Sequence, residues 1–131
     1  MTTTTLEWTK RYFDDLKKGC NNLIDCQNLF KCIGAKEDLF ILDIRKKEDF
    51  AESLIEGSVH CEWSEVYEFI EEDILPKDKK IIVVCYTGQT AGQVVSILRL
   101  LGYDACSLKG GMVNGWMKDQ MPIEAGCSTW M

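Results

Sequence analysis

Histidine and proline are nearly missing from this chain. His60 is the one histidine, and Pro76 and Pro122 are the two prolines. A lone histidine offers no Cys–His pair with a second candidate base. Two scattered prolines exclude a proline-rich linker, and no internal repeat or low-complexity stretch marks a second domain. Also absent is any run of the roughly 18 apolar residues that a membrane span needs. The start, Met1-Thr2-Thr3-Thr4-Thr5, has neither a basic cluster nor an apolar stretch, so no signal peptide is read there. A cytoplasmic location is the default expectation, and no membrane partner is expected. A basic excess is missing as well. With 15 Lys+Arg against 21 Asp+Glu the net charge is −6, which repels a polyanion, and no nucleic-acid partner is expected. The short basic clusters Lys17-Lys18, Arg45-Lys46-Lys47 and Lys77 to Lys80 are interleaved with acids and read as solvated faces.

What the chain does have is cysteine. Seven is a high and odd number, and in a reducing compartment these are thiols. Cys20, Cys26 and Cys32 recur at a six-residue step. That is neither a CxxC pair nor a helical face, so no metal site is expected, and most of the thiols read as buried and inert. The 131 residues fit one domain that can bury a core without staples.

Helical and strand patterns alternate along the chain. Leu6 to Lys18 has a helical apolar period (Leu6, Trp8, Tyr12, Phe13, Leu16), with Gly19 as its stop. Asp25 is placed to cap a second helix through Ile33, ended by Gly34. Leu39-Phe40-Ile41-Leu42 reads as a strand buried on both faces. A short helix is expected over Lys46 to Ser53 and a strand over Ser58-Val59-His60. Ser64 is expected to cap a helix through Asp73, with Val66, Tyr67, Phe69 and Ile70 inward. Ile81-Ile82-Val83-Val84, all β-branched, is the clearest strand. Thr90 to Leu101 reads as a helix with Val94, Val95, Ile97, Leu98 and Leu101 inward and Gly102 as its stop. Ala105 to Leu108 reads as a last strand and Met112 to Asp119 as a last helix. The alternation predicts an α/β domain around a mostly parallel sheet, whose ligands sit beyond the carboxyl ends of the strands. Those ends are Asp43 to Arg45, His60-Cys61, Cys85 to Thr90 and Lys109 to Gly111.

Cys85 ends the strongest strand and opens the segment Cys85-Tyr86-Thr87-Gly88-Gln89-Thr90 before a helix. Backbone N–H groups in such a loop curl toward one point and make an anion nest, reinforced by the helix dipole. Gly88 permits a left-handed turn, and Thr87 and Thr90 can add hydroxyl donors. A thiolate at that point is stabilised and nucleophilic, and a persulfide, whose outer sulfur is also anionic, suits the same cradle.

These residues resemble the rhodanese family. Cys85 to Thr90 is similar to its active-site loop, Cys-x-x-Gly-x-[Thr/Ser]. Leu42-Asp43-Ile44-Arg45, Glu48-Asp49-Phe50, Glu56-Gly57-Ser58-Val59-His60, Leu100-Leu101-Gly102-Tyr103, Leu108-Lys109-Gly110-Gly111 and Trp116 resemble its other blocks in order, over roughly 23–123. The resemblance implies a three-layer α/β sandwich with a mostly parallel sheet of about five strands and helices on both faces. It implies a domain over 23–131 preceded by a helical extension, 1–22. It implies a sulfurtransferase in which Cys85 takes sulfane sulfur from thiosulfate or a persulfide and passes it to cyanide, a small thiol or a protein thiol. Tyr86, Thr87, Gly88, Gln89 and Thr90 would bind the persulfide by their amides, with Asp43, Arg45 and Lys109 in support and no cofactor. A persulfide carrier or a docking module of the same fold is the alternative. Phosphatase-like relatives carry the longer loop Cys-x-x-x-x-x-Arg, whose arginine clamps an oxyanion. Here Ala91 stands in that arginine's place, which disfavours that chemistry.

Two departures mark this chain. Its loop is neutral where many thiosulfate users carry Arg or Lys, so the charge for thiosulfate would come from Lys109 or Arg45. The usual Gly-His-Ile-Pro reads Ser53-Leu54-Ile55-Glu56, which predicts a local change before Gly57. Elsewhere, His60 is expected as a half-buried strand-end residue, Asp43 and Arg45 as braces between loops, Lys109 as a solvated lysine or a rim cation, and Trp116 as core. Cys61, ahead of Cys106 and Cys127, is the candidate to resolve a persulfide, and Trp130-Met131 reads as a frayed end or a partner contact.

Overall fold

The computed structural model describes residues 4–125, so Cys127 and the Trp130-Met131 end lie outside the described residues. In chain order the elements are α1 (Thr5–Lys17), β1 (Leu23–Ile24), α2 (Cys26–Gly34), β2 (Leu39–Asp43), α3 (Lys47–Glu52), β3 (Val59–His60), α4 (Val66–Glu71), β4 (Lys80–Val84), α5 (Gln89–Leu100) and β5 (Ala105–Leu108). The five strands form one parallel sheet in the order β1-β5-β4-β2-β3. β4 is central, and Ile81, Ile82, Val83 and Val84 are wholly buried. Strand alternation sends Ile81, Val83 and Cys85 to the face covered by α4 and α5. It sends Ile82 and Val84 to the face covered by α2, Met112 and Trp116. That division makes the three layers. Burying each such β-branched side chain contributes about 1.5–3 kcal/mol, which fixes the strand end from which the cysteine projects.

Helix starts follow the capping rules. Asp25 accepts the N–H of Asn28 at 2.7 Å and caps α2. Thr4 and Glu7 form a reciprocal capping box on α1. α1 lies against α5, with Asp15 paired to Arg99, Tyr12 beside Ser96 and the Trp8 ring against Gly102. A cleft of about 310 Å³ between them is lined by Trp8, Tyr12 and Arg99.

Several expected details are corrected. Gly34 does not stop α2; it stays helical, and the chain reverses at Lys36, where φ is +56°. Ser64 caps nothing, because it lies inside a 3-10 turn over Trp63–Glu65. Tyr67, Ile97 and Leu101 face solvent, at 64%, 56% and 41% exposure. The buried stripe of α5 is Ala91, Val94, Val95 and Leu98, a pure i, i+3, i+4, i+7 pattern, and Ile97 falls off it. β1 has only two residues, too short for a periodic signal, and it adds a strand to the edge of β5. The last helix, expected over Met112 to Asp119, is instead a wide π-helical turn over Gly111–Trp116.

Candidate active site at the end of β4

Cys85 lies where β4 stops, and its side chain is 2% exposed. The sulfur nevertheless meets polar donors. The N–H of Gly88 reaches Sγ at 3.0 Å and that of Ala91 at 3.4 Å. Both contacts come from the start of α5. Gly88 is the N-cap of that helix, at φ +99°, a conformation costly for any residue with a Cβ. A glycine cap has no side chain to accept the orphan N–H groups of the first turn. The sulfur of Cys85 takes that role, like an N-cap acceptor supplied from the preceding strand, and the helix dipole favours negative charge there.

The expected convergence of amides from 86 to 90 is therefore corrected. Gly88 supplies one contact, and Ala91, outside that segment, supplies the other. Among the described residues, the N–H groups of Tyr86, Thr87, Gln89 and Thr90 donate to no acceptor. Thr87 and Gln89 have exposed side chains, and Thr90 is half-buried. The loop is walled on one side by the turn after β5. A Cβ on Gly88 would meet the Gly110 nitrogen at 3.5 Å.

Asp43 and Arg45, at the end of β2, are both buried, at 1% and 3% exposure. Arg45 Nη2 donates to Asp43 Oδ2 at 2.9 Å, Nε donates to Oδ1 at 3.1 Å, and Nη2 also donates to the Ser53 carbonyl. This ties the β2 end to the loop after α3. Bracing is the role the geometry gives the pair, and the guanidinium is spent there. That corrects two expectations: Arg45 is not a solvated cation, and it is not free to receive thiosulfate. Lys109, at the end of β5, has an exposed side chain and no ion pair among the described residues, while its N–H donates to the Ile24 carbonyl. His60 is half-buried, stacks on Phe50 and donates from Nε2 to the Arg45 carbonyl at 2.7 Å.

Sequence reasoning missed the anchor of Tyr86. Its hydroxyl donates to Asp49 of α3 and accepts the Lys46 N–H at 3.1 Å, while its ring faces the Arg45 guanidinium. Burial, with help from the Asp49 hydrogen bond, pushes the Tyr86 phenol above its usual range. Asp49 is 37 residues away in sequence, and no local spacing announces the pair.

The other buried thiols differ from Cys85 in what surrounds them. Burial pushes Cys26, Cys61 and Cys106 each up to about 11. Glu65, Glu68 and Glu62 add to the effect at Cys61. A thiol held protonated in this way is a poor nucleophile, which weighs equally against Cys61 and Cys106 as resolving residues. Trp116 is core, 1% exposed, with Nε1 donating to the Pro122 carbonyl at 2.7 Å. Among the described residues no cluster of His, Cys, Asp or Glu has the geometry to hold a metal, and no helix is long and apolar enough to cross a membrane.

Comparison with known proteins places this arrangement. A model of the Rhodanese-like domain matches residues 26–119. The chain is 31% identical over 90 residues to a putative sulfurtransferase, YtwF, of Bacillus subtilis, covering 69% of this chain and 84% of the relative. It is 32% identical over 91 residues to the thiosulfate sulfurtransferase GlpE of Glaesserella parasuis, covering 69% and 82%. Among solved structures, a rhodanese-related protein of Thermoplasma volcanium superposes with a TM-score of 0.70 at 27% identity, covering 79% of this chain and 98% of that one.

Proposed function

This chain belongs to the rhodanese-like family, whose named relatives include sulfurtransferases, and from that membership we propose that it transfers sulfane sulfur through a persulfide on Cys85. In the first step the Cys85 thiolate attacks the outer sulfur of a donor. The Cys85 S–S bond forms as the donor's S–S bond breaks, and the donor leaves as sulfite or as a thiolate. In the second step a thiophile such as cyanide or a thiolate attacks the outer sulfur and carries it off, returning Cys85 as thiolate. The observation that carries this reading is the pair of N–H contacts on Cys85 Sγ from Gly88 and Ala91. They act on negative charge at a sulfur that is 2% exposed, where preorganised donors are most effective. The unpaired N–H groups of Tyr86, Thr87, Gln89 and Thr90 supply the donors for the outer sulfur.

Thiosulfate is the donor named for the Glaesserella relative. In this chain the loop side chains are neutral and the Arg45 guanidinium is bonded to Asp43 and Ser53. With only the exposed Lys109 left of the pair Lys109 and Arg45, that favours a small-molecule or protein persulfide over a sulfonated dianion as donor. No cofactor enters either step. The test is turnover with thiosulfate and, separately, with a low-molecular-weight persulfide, in the parent and in Cys85→Ser. The persulfide is expected to be the better donor, and the variant is expected to be folded and inactive. A folded Cys85→Ser protein that still transfers sulfur refutes the proposal.

A further inference from the structure

We propose that the π-helical turn Gly111–Trp116 is the positioning element of the sulfur cradle, with Gly111 as the positioning residue that lets it seat. The proposal rests on Cys85 as the sulfur carrier. The turn begins directly beneath the loop. The N–H of Met112 donates to the Cys85 carbonyl at 2.8 Å, and the N–H of Val113 donates to the Tyr86 carbonyl at 2.8 Å. Both donors belong to the first turn of the helical segment, where N–H groups have no partner within the helix. In a trans peptide the carbonyl of one residue and the N–H of the next point in opposite directions. Holding the Cys85 and Tyr86 carbonyls toward the π-helical turn therefore turns the N–H groups of Tyr86 and Thr87 away from it.

The two sides of the sheet give that direction its meaning. Met112 and Trp116 pack with Ile82 and Val84 on one face. Cys85 packs with Ile81 and Val83 on the other. Amides turned away from the π-helical turn are turned toward the side on which the sulfur lies. Gly88 and Ala91 hold the sulfur itself, and Tyr86 and Thr87 are left aimed beside it for a second sulfur. The platform is rigid, because Met112 and Trp116 are 0% and 1% exposed. Its approach depends on Gly111, at φ +61°, where a Cβ would lie 2.5 Å from the Cys85 carbonyl oxygen and 2.7 Å from the Tyr86 carbonyl carbon. No side chain fits between backbone atoms at that spacing.

The test breaks one positioning hydrogen bond at a residue whose side chain is half exposed. Val113 is 50% exposed, and a proline there lacks the N–H and sets its Cδ against the Tyr86 carbonyl, which the N–H now meets at 2.8 Å. Val113→Pro deletes the donor to Tyr86, whereas Val113→Ala keeps it. Val113→Pro is expected to lower kcat for sulfur transfer at least about fivefold, the loss of one hydrogen bond with the displaced carbonyl adding to it. The donor KM and the circular dichroism are expected to be unchanged, and Val113→Ala is expected to keep the parental rate. A folded Val113→Pro protein that transfers sulfur at the parental rate overturns the proposal and leaves Cys85 as carrier. A parent that never takes up sulfur on Cys85 removes the reading beneath it. Should the proline variant not fold, amide NMR of the parent decides. Sulfur loading is expected to move the Tyr86 and Thr87 amide protons downfield. Shifts confined to Gly88 and Ala91 overturn the positioning role.

Discussion

Replacing Asp43 with alanine strips a buried guanidinium of the carboxylate that holds it. Arg45 is 3% exposed and makes three of its contacts to the two oxygens of Asp43. Without them, the guanidinium keeps only the Ser53 main-chain carbonyl as an acceptor among the described residues. Removing one partner of a buried pair costs about 3–5 kcal/mol, because the other charge stays in a medium that cannot solvate it. For a domain of this size that is a fall in Tm of roughly 10–20 °C. The pair's own net worth is much smaller, since two charges had to leave water to make it. Asp43→Leu combined with Arg45→Met is therefore expected to lose less than half of what Asp43→Leu alone loses, which equilibrium urea unfolding of the two single variants and the double variant measures as a double-mutant cycle. The single alanine variant is also expected to lose sulfur transfer, because the Arg45 carbonyl holds His60 and the guanidinium backs the Tyr86 ring. An Asp43→Ala protein within about 1 kcal/mol of the parent would refute the reasoning, as it would mean that Arg45 reaches water freely.

Tyr86→Phe deletes the bond to Asp49 and is expected to cost about 1.5–3 kcal/mol, the range for a hydrogen bond to a charged acceptor; thermal unfolding reads it, and sulfur transfer is expected to fall with it. Asp25→Ala removes the cap of α2 and is expected to cost about 1 kcal/mol in urea unfolding, with transfer unchanged. Cys26, Cys61 and Cys106 have folded values raised from 9.0 to about 11, so folding favours their neutral form. That contribution is fully present below pH 9.0 and is lost as pH rises through about 11, and unfolding followed across that window is expected to show stability declining on the alkaline side. At neutral pH, brief iodoacetamide treatment of the folded protein is expected to spare all three, as peptide mapping reads.

The layers were legible because their signals are local. Four β-branched residues in a row mark β4, and Asp25 and Gly102 punctuate the helices beside it. Cys85 at the end of that strand, followed by Gly88, marks the candidate site. What stayed hidden depends on contacts between distant segments or on backbone geometry. Ala91 reads as one more apolar residue of α5. Its N–H reaches Cys85 because Gly88, as N-cap, offers no side chain of its own. Counting three residues on from a glycine cap would have found it. Nothing in the sequence pairs Tyr86 with Asp49, and the burial of Arg45 follows from where the loop at Ser53 passes. The π-helical turn opens on two successive left-handed glycines, Gly110 as its cap and Gly111 as its first residue, while the apolar pattern of 112–119 resembles an ordinary helix.

The most direct measurement is peptide-level mass spectrometry of the protein after incubation with a persulfide donor, excess donor removed and free thiols capped under non-reducing conditions. The account predicts one added sulfur atom on the peptide containing Cys85, lost on treatment with cyanide and absent in Cys85→Ser. Added sulfur on any other cysteine, with the Cys85 peptide unchanged, contradicts it.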